Sequence, residues 1–143
     1  MIAQLQEMGL QTVLLTGDHA MTAGRIVDEL GIPEVYAQVL PQEKVEIVRK
    51  LQKEGRVAAF VGDGINDGPA LASAEVGIAM GQAGTDLAIE TAEITLLSDD
   101  LSRIPHLVLL SRRAMRAIHQ NLAFSLGVLA IAILLTIFGV LTP

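Results

Sequence analysis

The sequence contains no cysteine and no tryptophan, and its aromatic residues come to three phenylalanines and one tyrosine. Without cysteine the chain forms no disulfide and offers no thiolate to a metal, a composition compatible with the cytosol. With so few aromatics, and no basic stripe for them to interleave, nucleic acid is not expected as a partner. Acidic residues are also missing, but only from one end. Met1 to Asp100 carries 16 Asp and Glu against 6 Lys and Arg, whereas Leu101 to Pro143 carries 4 Arg and no acid. The chain therefore reads as an acidic part followed by a basic, then uncharged, tail.

The tail gives the plainest signal. Leu122 to Leu141, LAFSLGVLAIAILLTIFGVL, runs 20 residues without a charge, about what a helix needs to cross the hydrocarbon core of a bilayer. Its hydroxyls, on Ser125 and Thr136, can bond back to the helix's own carbonyls. A buried core helix is the competing reading of such a run. Arg103, Arg112, Arg113 and Arg116 precede it, and arginines clustered before a span mark its cytoplasmic side. Its place at the C-terminus, with no cleavage region following, argues against a signal peptide. The expected division is a cytoplasmic α/β domain over 1–100, a stalk helix over 101–121 and a transmembrane helix over 122–141. Stalk and span are expected to form one long helix, from about Leu101 to Val140, interrupted or bent near Pro105 because proline removes a helix hydrogen bond.

Two periods alternate in the first hundred residues. Short β-rich runs at Thr12–Thr16, Glu34–Gln38, Val57–Val61, Val76–Met80 and Glu93–Leu97 are separated by helical stretches near Ile2–Met8, Ala20–Leu30, Pro41–Glu54, Gly68–Ala74 and Thr85–Thr91. Pro41 and Pro69 sit where a first helical turn tolerates proline, and Gly31 and Gly55 where helices end. Such alternation predicts an α/β layer fold with a mainly parallel sheet.

In sheets of this kind ligands bind beyond the carboxyl ends of the strands. Two predicted strands end there in short acidic turns, Thr16-Gly17-Asp18 and Gly62-Asp63-Gly64, and Asp67 follows four residues after Asp63. Glycines let backbone N–H groups approach a phosphate, and the Thr16 hydroxyl can donate to one. Carboxylates beside a phosphate require a cation between them, and Mg²⁺ is commonly held by one or two carboxylates plus phosphate oxygens. Turn chemistry alone would also place Asp and Gly here. Lys44 lies in the first turn of the helix opened by Pro41, where the macrodipole disfavours a cation. A phosphate at the sheet edge would account for it, as would an ordinary solvated lysine.

These residues carry a resemblance. Thr16–Asp18 (TGD), PQEK ending at Lys44, GDGINDGPALASA at Gly62–Ala74 and VGIAMGQAGTDLAIETAEI at Val76–Ile94 resemble the second half of the phosphorylation domain of P-type ATPases, within the haloacid dehalogenase-like superfamily. The stalk SRRAMRAIHQN (Ser111–Asn121) running into an apolar span is most similar to the heavy-metal subclass. The resemblance implies a Rossmannoid parallel sheet and an ATP-driven cation pump working through an aspartyl phosphate, with Mg²⁺ and ATP as cofactors and the bilayer and a transported metal cation as partners. It places Thr16, Gly17, Asp18, Lys44 and Asn66 in the catalytic machinery, Gly62 and Gly64 against the cofactor, and Asp63 and Asp67 at the metal.

Departures from the family pattern matter equally. The nucleophile's Asp-Lys-Thr-Gly-Thr stretch is not found, nor is the nucleotide-binding domain with its His-Pro signature; Pro105-His106 reverses that order in the stalk. The resemblance thus implies an N-terminal portion of the same pump outside this chain, and a chain inactive alone. It also implies that the nucleophile's strand belongs between the strands ending at Thr16 and Val61, which should either stay apart or pair directly. Copper pumps usually carry a Tyr-Asn pair in this span, and zinc, cadmium and lead pumps a lysine near Leu129. Neither is present, which resembles the cobalt-type group and makes a divalent cation such as cobalt, zinc or cadmium the expected cargo rather than copper. His119, beside Arg116, reads as an interfacial polar residue rather than a ligand. A membrane-anchored phosphatase of the same superfamily, a potassium-pump fragment and a non-catalytic interaction module are the alternatives.

Overall fold

A computed structural model describes residues 1–63, 66–81, 91–98 and 100–138. It comprises two compact units, Met1–Leu101 and Ser102–Pro143. The first contains α1 (Ile2–Glu7), β1 (Val13–Leu15), α2 (Ala20–Leu30), β2 (Glu34–Tyr36), α3 (Pro41–Lys53), β3 (Ala59–Gly62), α4 (Gly68–Ser73), β4 (Val76–Met80) and β5 (Ile94–Leu96). The second contains α5 (Arg103–Ile137). All five predicted strands are present, four of them with shifted or trimmed ends, and every ladder is parallel. The helix expected over Thr85–Thr91 falls largely outside the described residues, as do the last residues of the expected span.

The strands form two sheets, β1-β2 and β3-β4-β5. Among the described residues no ladder joins β1 to β3, so of the two expected outcomes the strands stay apart. The register of the larger sheet, Val61 opposite Ile78 and Ile78 opposite Ile94, makes β4 its central strand, and Gly77, Ile78 and Ala79 are accordingly buried. Leu71 on α4 and Ala79 form the fully buried centre, with Phe60 and Ala92 packed around them. The fit is tight: a Cβ on Gly77 would lie 2.8 Å from the Leu71 carbonyl oxygen, closer than real Cβ contacts allow, so α4 can lie this close only over a glycine.

Carboxylates brace this half at backbone amides. The Gly77 N–H donates to Glu93 Oε2 at 2.6 Å, and the Ala58 N–H to Glu75 Oε2 at 2.8 Å. These bonds favour the ionised form and hold both carboxyls below the usual glutamate range. In the smaller sheet Glu34 plays the corresponding part. Its carboxylate accepts from Arg56 Nη1 and from the Tyr36 hydroxyl, each at 2.8 Å, and is lowered by Arg56 first and then Tyr36. Lys50 lies 5.7 Å above the Tyr36 ring, within cation–π range. Together these contacts tie β2 to the end of α3.

Among its described residues the second unit forms one 35-residue helix. The helix runs through Pro105 without the interruption expected there. Because Ser102 is the cap, Pro105 is only the third helical residue, and its missing N–H belongs to the first turn, where no intrahelical acceptor exists. The most apolar 18-residue window of α5 has mean hydropathy 2.0, and none of it is covered by protein. α5 is thus long and apolar enough to cross a membrane. Thr136 Oγ1 donates to the Ala132 carbonyl at 2.9 Å, the back-bond expected of a hydroxyl in such a run.

Candidate functional site

The turn after β1 is held by its own side chains. Thr16 Oγ1 donates to Asp18 Oδ2 at 3.0 Å and accepts the Asp18 N–H at 3.1 Å. The segment after β2 closes over it, with the Gln38 N–H donating to the Asp18 carbonyl at 2.9 Å and the Val39 N–H to the Thr16 carbonyl at 3.0 Å. Gln38 adopts φ 57°, a left-handed conformation unfavourable for a residue with a Cβ. Its side-chain amide lies 3.1 Å from Nδ1 of His19, the cap of α2. Neither Gln38 nor His19 was singled out from sequence. An Asn or Gly would have signalled the left-handed turn; Gln does not. Gly17 has room for a methyl group, its nearest obstacle being the Val39 carbonyl at 3.6 Å.

The loop after β3 is organised around Asp67. Asp67 caps α4, and its carbonyl accepts the Leu71 N–H at 2.8 Å. Its side chain turns away from the cap, and Oδ1 accepts from Lys44 Nζ at 2.6 Å. Both side chains are mostly buried, 15% and 13% exposed. The lysine that the helix dipole disfavours is therefore held, in this structure, by a carboxylate. Gly62 makes that seat possible, since a Cβ there would lie 2.8 Å from Asp67 Oδ2 and 3.0 Å from the Phe60 ring. Asp63 and Asn66 are exposed on the same loop; Gly64 lies outside the described residues.

One short segment serves both turns. Val39 bonds the first turn, and Leu40 caps α3, its N–H donating to Glu43 Oε2 at 2.7 Å. Lys44, one helical turn on, reaches Asp67 in the second. The structure thus brings together Lys44, Asp67 and Gly62, and separately Thr16, Gly17 and Asp18, with the start of α3 bonded to both groups. Among the described residues no group of three or more His, Cys, Asp or Glu converges as a complete metal cage. Asp63 and Asp67 are hard oxygen donors flanking one loop, a set suited to a divalent cation that draws its other ligands from elsewhere.

Comparison with known proteins gives the family. The haloacid dehalogenase-like hydrolase family matches residues 1–75. The chain is 47% identical over 142 residues to a cadmium-transporting ATPase of Staphylococcus aureus, covering 99% of this chain and 20% of that protein. It is 49% identical over 142 residues to a probable copper-exporting P-type ATPase of Mycobacterium tuberculosis, covering 99% and 18%. A crystal structure of a zinc-transporting PIB-type ATPase in its E2.Pi state superposes with TM-score 0.88 at 40% identity, over 96% of this chain and 22% of that one. The chain spans about a fifth of the length of the curated relatives it matches. With the parallel strands, the two turns and the matched region now in agreement, the chain belongs to the haloacid dehalogenase-like hydrolase family.

Proposed function

We propose that this chain is the part of an ATP-driven heavy-metal cation pump that supplies the charged half of a phosphoryl-transfer site and one membrane-spanning helix. The observation that carries the reading is the Lys44–Asp67 pair beyond β3, in a chain whose relatives are named as cadmium-transporting and copper-exporting ATPases. Phosphoryl transfer depends chiefly on positioning and on neutralising spread charge. Here Lys44 offers a fixed cation, the Thr16 hydroxyl and the turn backbone offer donors, and Asp63 and Asp67 would hold Mg²⁺, which when bound offsets the charge of a phosphate. Thr16, Gly17, Asp18, Lys44 and Asn66 act as the catalytic set, with Gly62 and Gly64 giving the backbone access to the phosphate. The aspartate that receives the phosphoryl group, and the ATP site, belong to an N-terminal portion of the same pump. Residues 1–121 are cytoplasmic, and 122–141 cross the bilayer. The cargo is a divalent cation such as cobalt, zinc or cadmium; the 47% and 49% identities to cadmium and copper relatives leave that choice to the residues of the span.

The test is formation of a hydroxylamine-sensitive phosphoenzyme from ATP. The 143-residue chain alone should form none, and a longer protein containing it should. In that longer protein Asp63→Asn should abolish most metal-stimulated ATPase activity, while Glu54→Gln on the α3 cap should not. Equal behaviour of the two variants would reduce the loop to a turn.

A further inference from the structure

Resting on the reading of the two turns as a phosphoryl-transfer site, we propose that Gln38 is a positioning residue of that site: the bond from its side-chain amide to His19 fixes the connector between β2 and α3 over the Thr16–Asp18 turn, and so holds Lys44 in place. The ladder between β1 and β2 shows where the connector departs from a strand. The Thr16 N–H donates to the Tyr36 carbonyl at 3.0 Å, and in a regular parallel ladder residue 38 would donate back to the Thr16 carbonyl. Val39 does so instead, at 3.0 Å. One residue too many lies between Tyr36 and Val39, a bulge, and Gln38 takes it up with φ 57°. Because strand side chains alternate, one extra residue exchanges the inward and outward positions that follow. Val39 is buried and Leu40, the cap of α3, is exposed. The phase in which α3 starts, and with it the side from which Lys44 leaves the helix, follows from this bulge.

The backbone alone does not call for glutamine. A left-handed residue is least costly as glycine and next as asparagine, so Gln38 carries strain of the kind that persists where the surroundings hold it and the site uses it. What glutamine adds is its amide, whose nitrogen lies 3.1 Å from Nδ1 of His19. Neutral His19, protonated at Nε2, accepts that bond. His19 caps α2, its carbonyl accepting the Thr22 and Ala23 N–H groups at 2.9 and 3.1 Å. One side chain therefore joins the start of α2 to the approach of α3. The Thr16–Asp18 turn is held from both directions, its carbonyls accepting from Gln38 and Val39 and the residue after it taking the amide. Releasing the amide frees the connector to leave the turn, and Lys44 moves with it.

In the detergent-solubilised chain, the hold on Lys44 is read by its rate of acetylation with N-hydroxysuccinimide acetate, followed by peptide mass spectrometry, with exposed Lys53 as the internal reference. Gln38→Gly suits the left-handed backbone and removes the amide. It should leave the unfolding midpoint unchanged or higher, yet speed Lys44 acetylation and Val39 amide exchange by about five-fold, the worth of one ordinary hydrogen bond. His19→Ala should give the same increase, and the double variant no more than either alone. In a longer protein containing the chain, Gln38→Gly should slow phosphoenzyme formation at saturating ATP by about five-fold with KM for ATP unchanged. Equal acetylation rates with and without the amide overturn the proposal, as do additive effects of the two substitutions. A lowered unfolding midpoint alongside faster acetylation also overturns it, by making Gln38 a support of the fold alone. Faster acetylation with an unchanged rate of phosphoenzyme formation removes the positioning role and leaves the function of the site standing. A longer protein that forms no phosphoenzyme without any substitution overturns that function, and this proposal with it.

Discussion

Strands β1 and β4, one in each sheet of the first unit, are both apolar and end in different surroundings. β4 has a neighbour on each edge and buries Gly77, Ile78 and Ala79. β1, whose Val13-Leu14-Leu15 is if anything more apolar, has one neighbour among the described residues, and all three residues are only half-buried. A continuous apolar run of this kind is the signature of a parallel strand covered on both faces. The contrast shows that a strand's composition records the environment it is built for, while ladders and helices decide how much of that environment it obtains. Full burial of a Leu or Val contributes about 1.5–3 kcal/mol, so β1 leaves a substantial part of its own unrealised.

Substitutions can sharpen this contrast. The largest effect should come from Leu71→Ala, which empties the fully buried centre of the β3-β4-β5 half and should cost about 3 kcal/mol by denaturant unfolding of the detergent-solubilised chain. Leu14→Ala in β1 should cost about half as much; an equal cost would mean the two sheets are equally well packed. Next comes Gly77→Ala. The new methyl meets the backbone carbonyl of Leu71, which has no flexible end to move, so α4 must shift at about 1–3 kcal/mol. Loss of protection from hydrogen exchange in β3 and β4, with β1 and β2 unchanged, would be the mark of a local clash. Lys44→Met should follow, at about 1–2 kcal/mol, because a mostly buried Asp67 loses its charged donor; Asp67→Asn together with Lys44→Met should recover part of that loss.

The smallest effect is that of pH, and here the halves should behave alike. Glu34, Glu75 and Glu93 are all held below the ordinary glutamate range, so folding favours their ionised forms. Their contribution is complete above the ordinary value of about 4.3 and is lost as pH falls through the lowered ones. Amide shifts of Ala58 and Gly77 followed from about pH 6 to about pH 3 should move only in the lower part of that range. A transition centred near neutrality would separate these bonds from the carboxylates.

Much of this was legible in the residues. The five β-rich runs and the proline and glycine boundaries report local preferences and became the strands and helix ends expected, and the apolar tail is helical as far as Ile137. The pairing of Lys44 with Asp67 was only half visible: an ill-placed lysine announced a partner, but sequence could not say that the partner was a carboxylate 23 residues away. Pro105 does not interrupt the helix, because its effect depends on where the helix starts, and Ser102 sets that start. Gln38 gave no sign, since its left-handed backbone goes with the bonds from its own N–H to Asp18 and from Val39 to Thr16 rather than with its side chain.

The start of α3 has a consequence for insertions and deletions. Val39 is fixed to the first turn by its N–H, and Lys44 to the second by its ammonium group, with a capped helical turn between them. One residue added or removed after Pro41 would rotate Lys44 by about 100° about the α3 axis and move it about 1.5 Å along it, away from Asp67. Side chains in this interval can change as long as the helix forms, but its length cannot, so Val39 to Lys44 acts as a ruler of fixed count between two loops far apart in sequence.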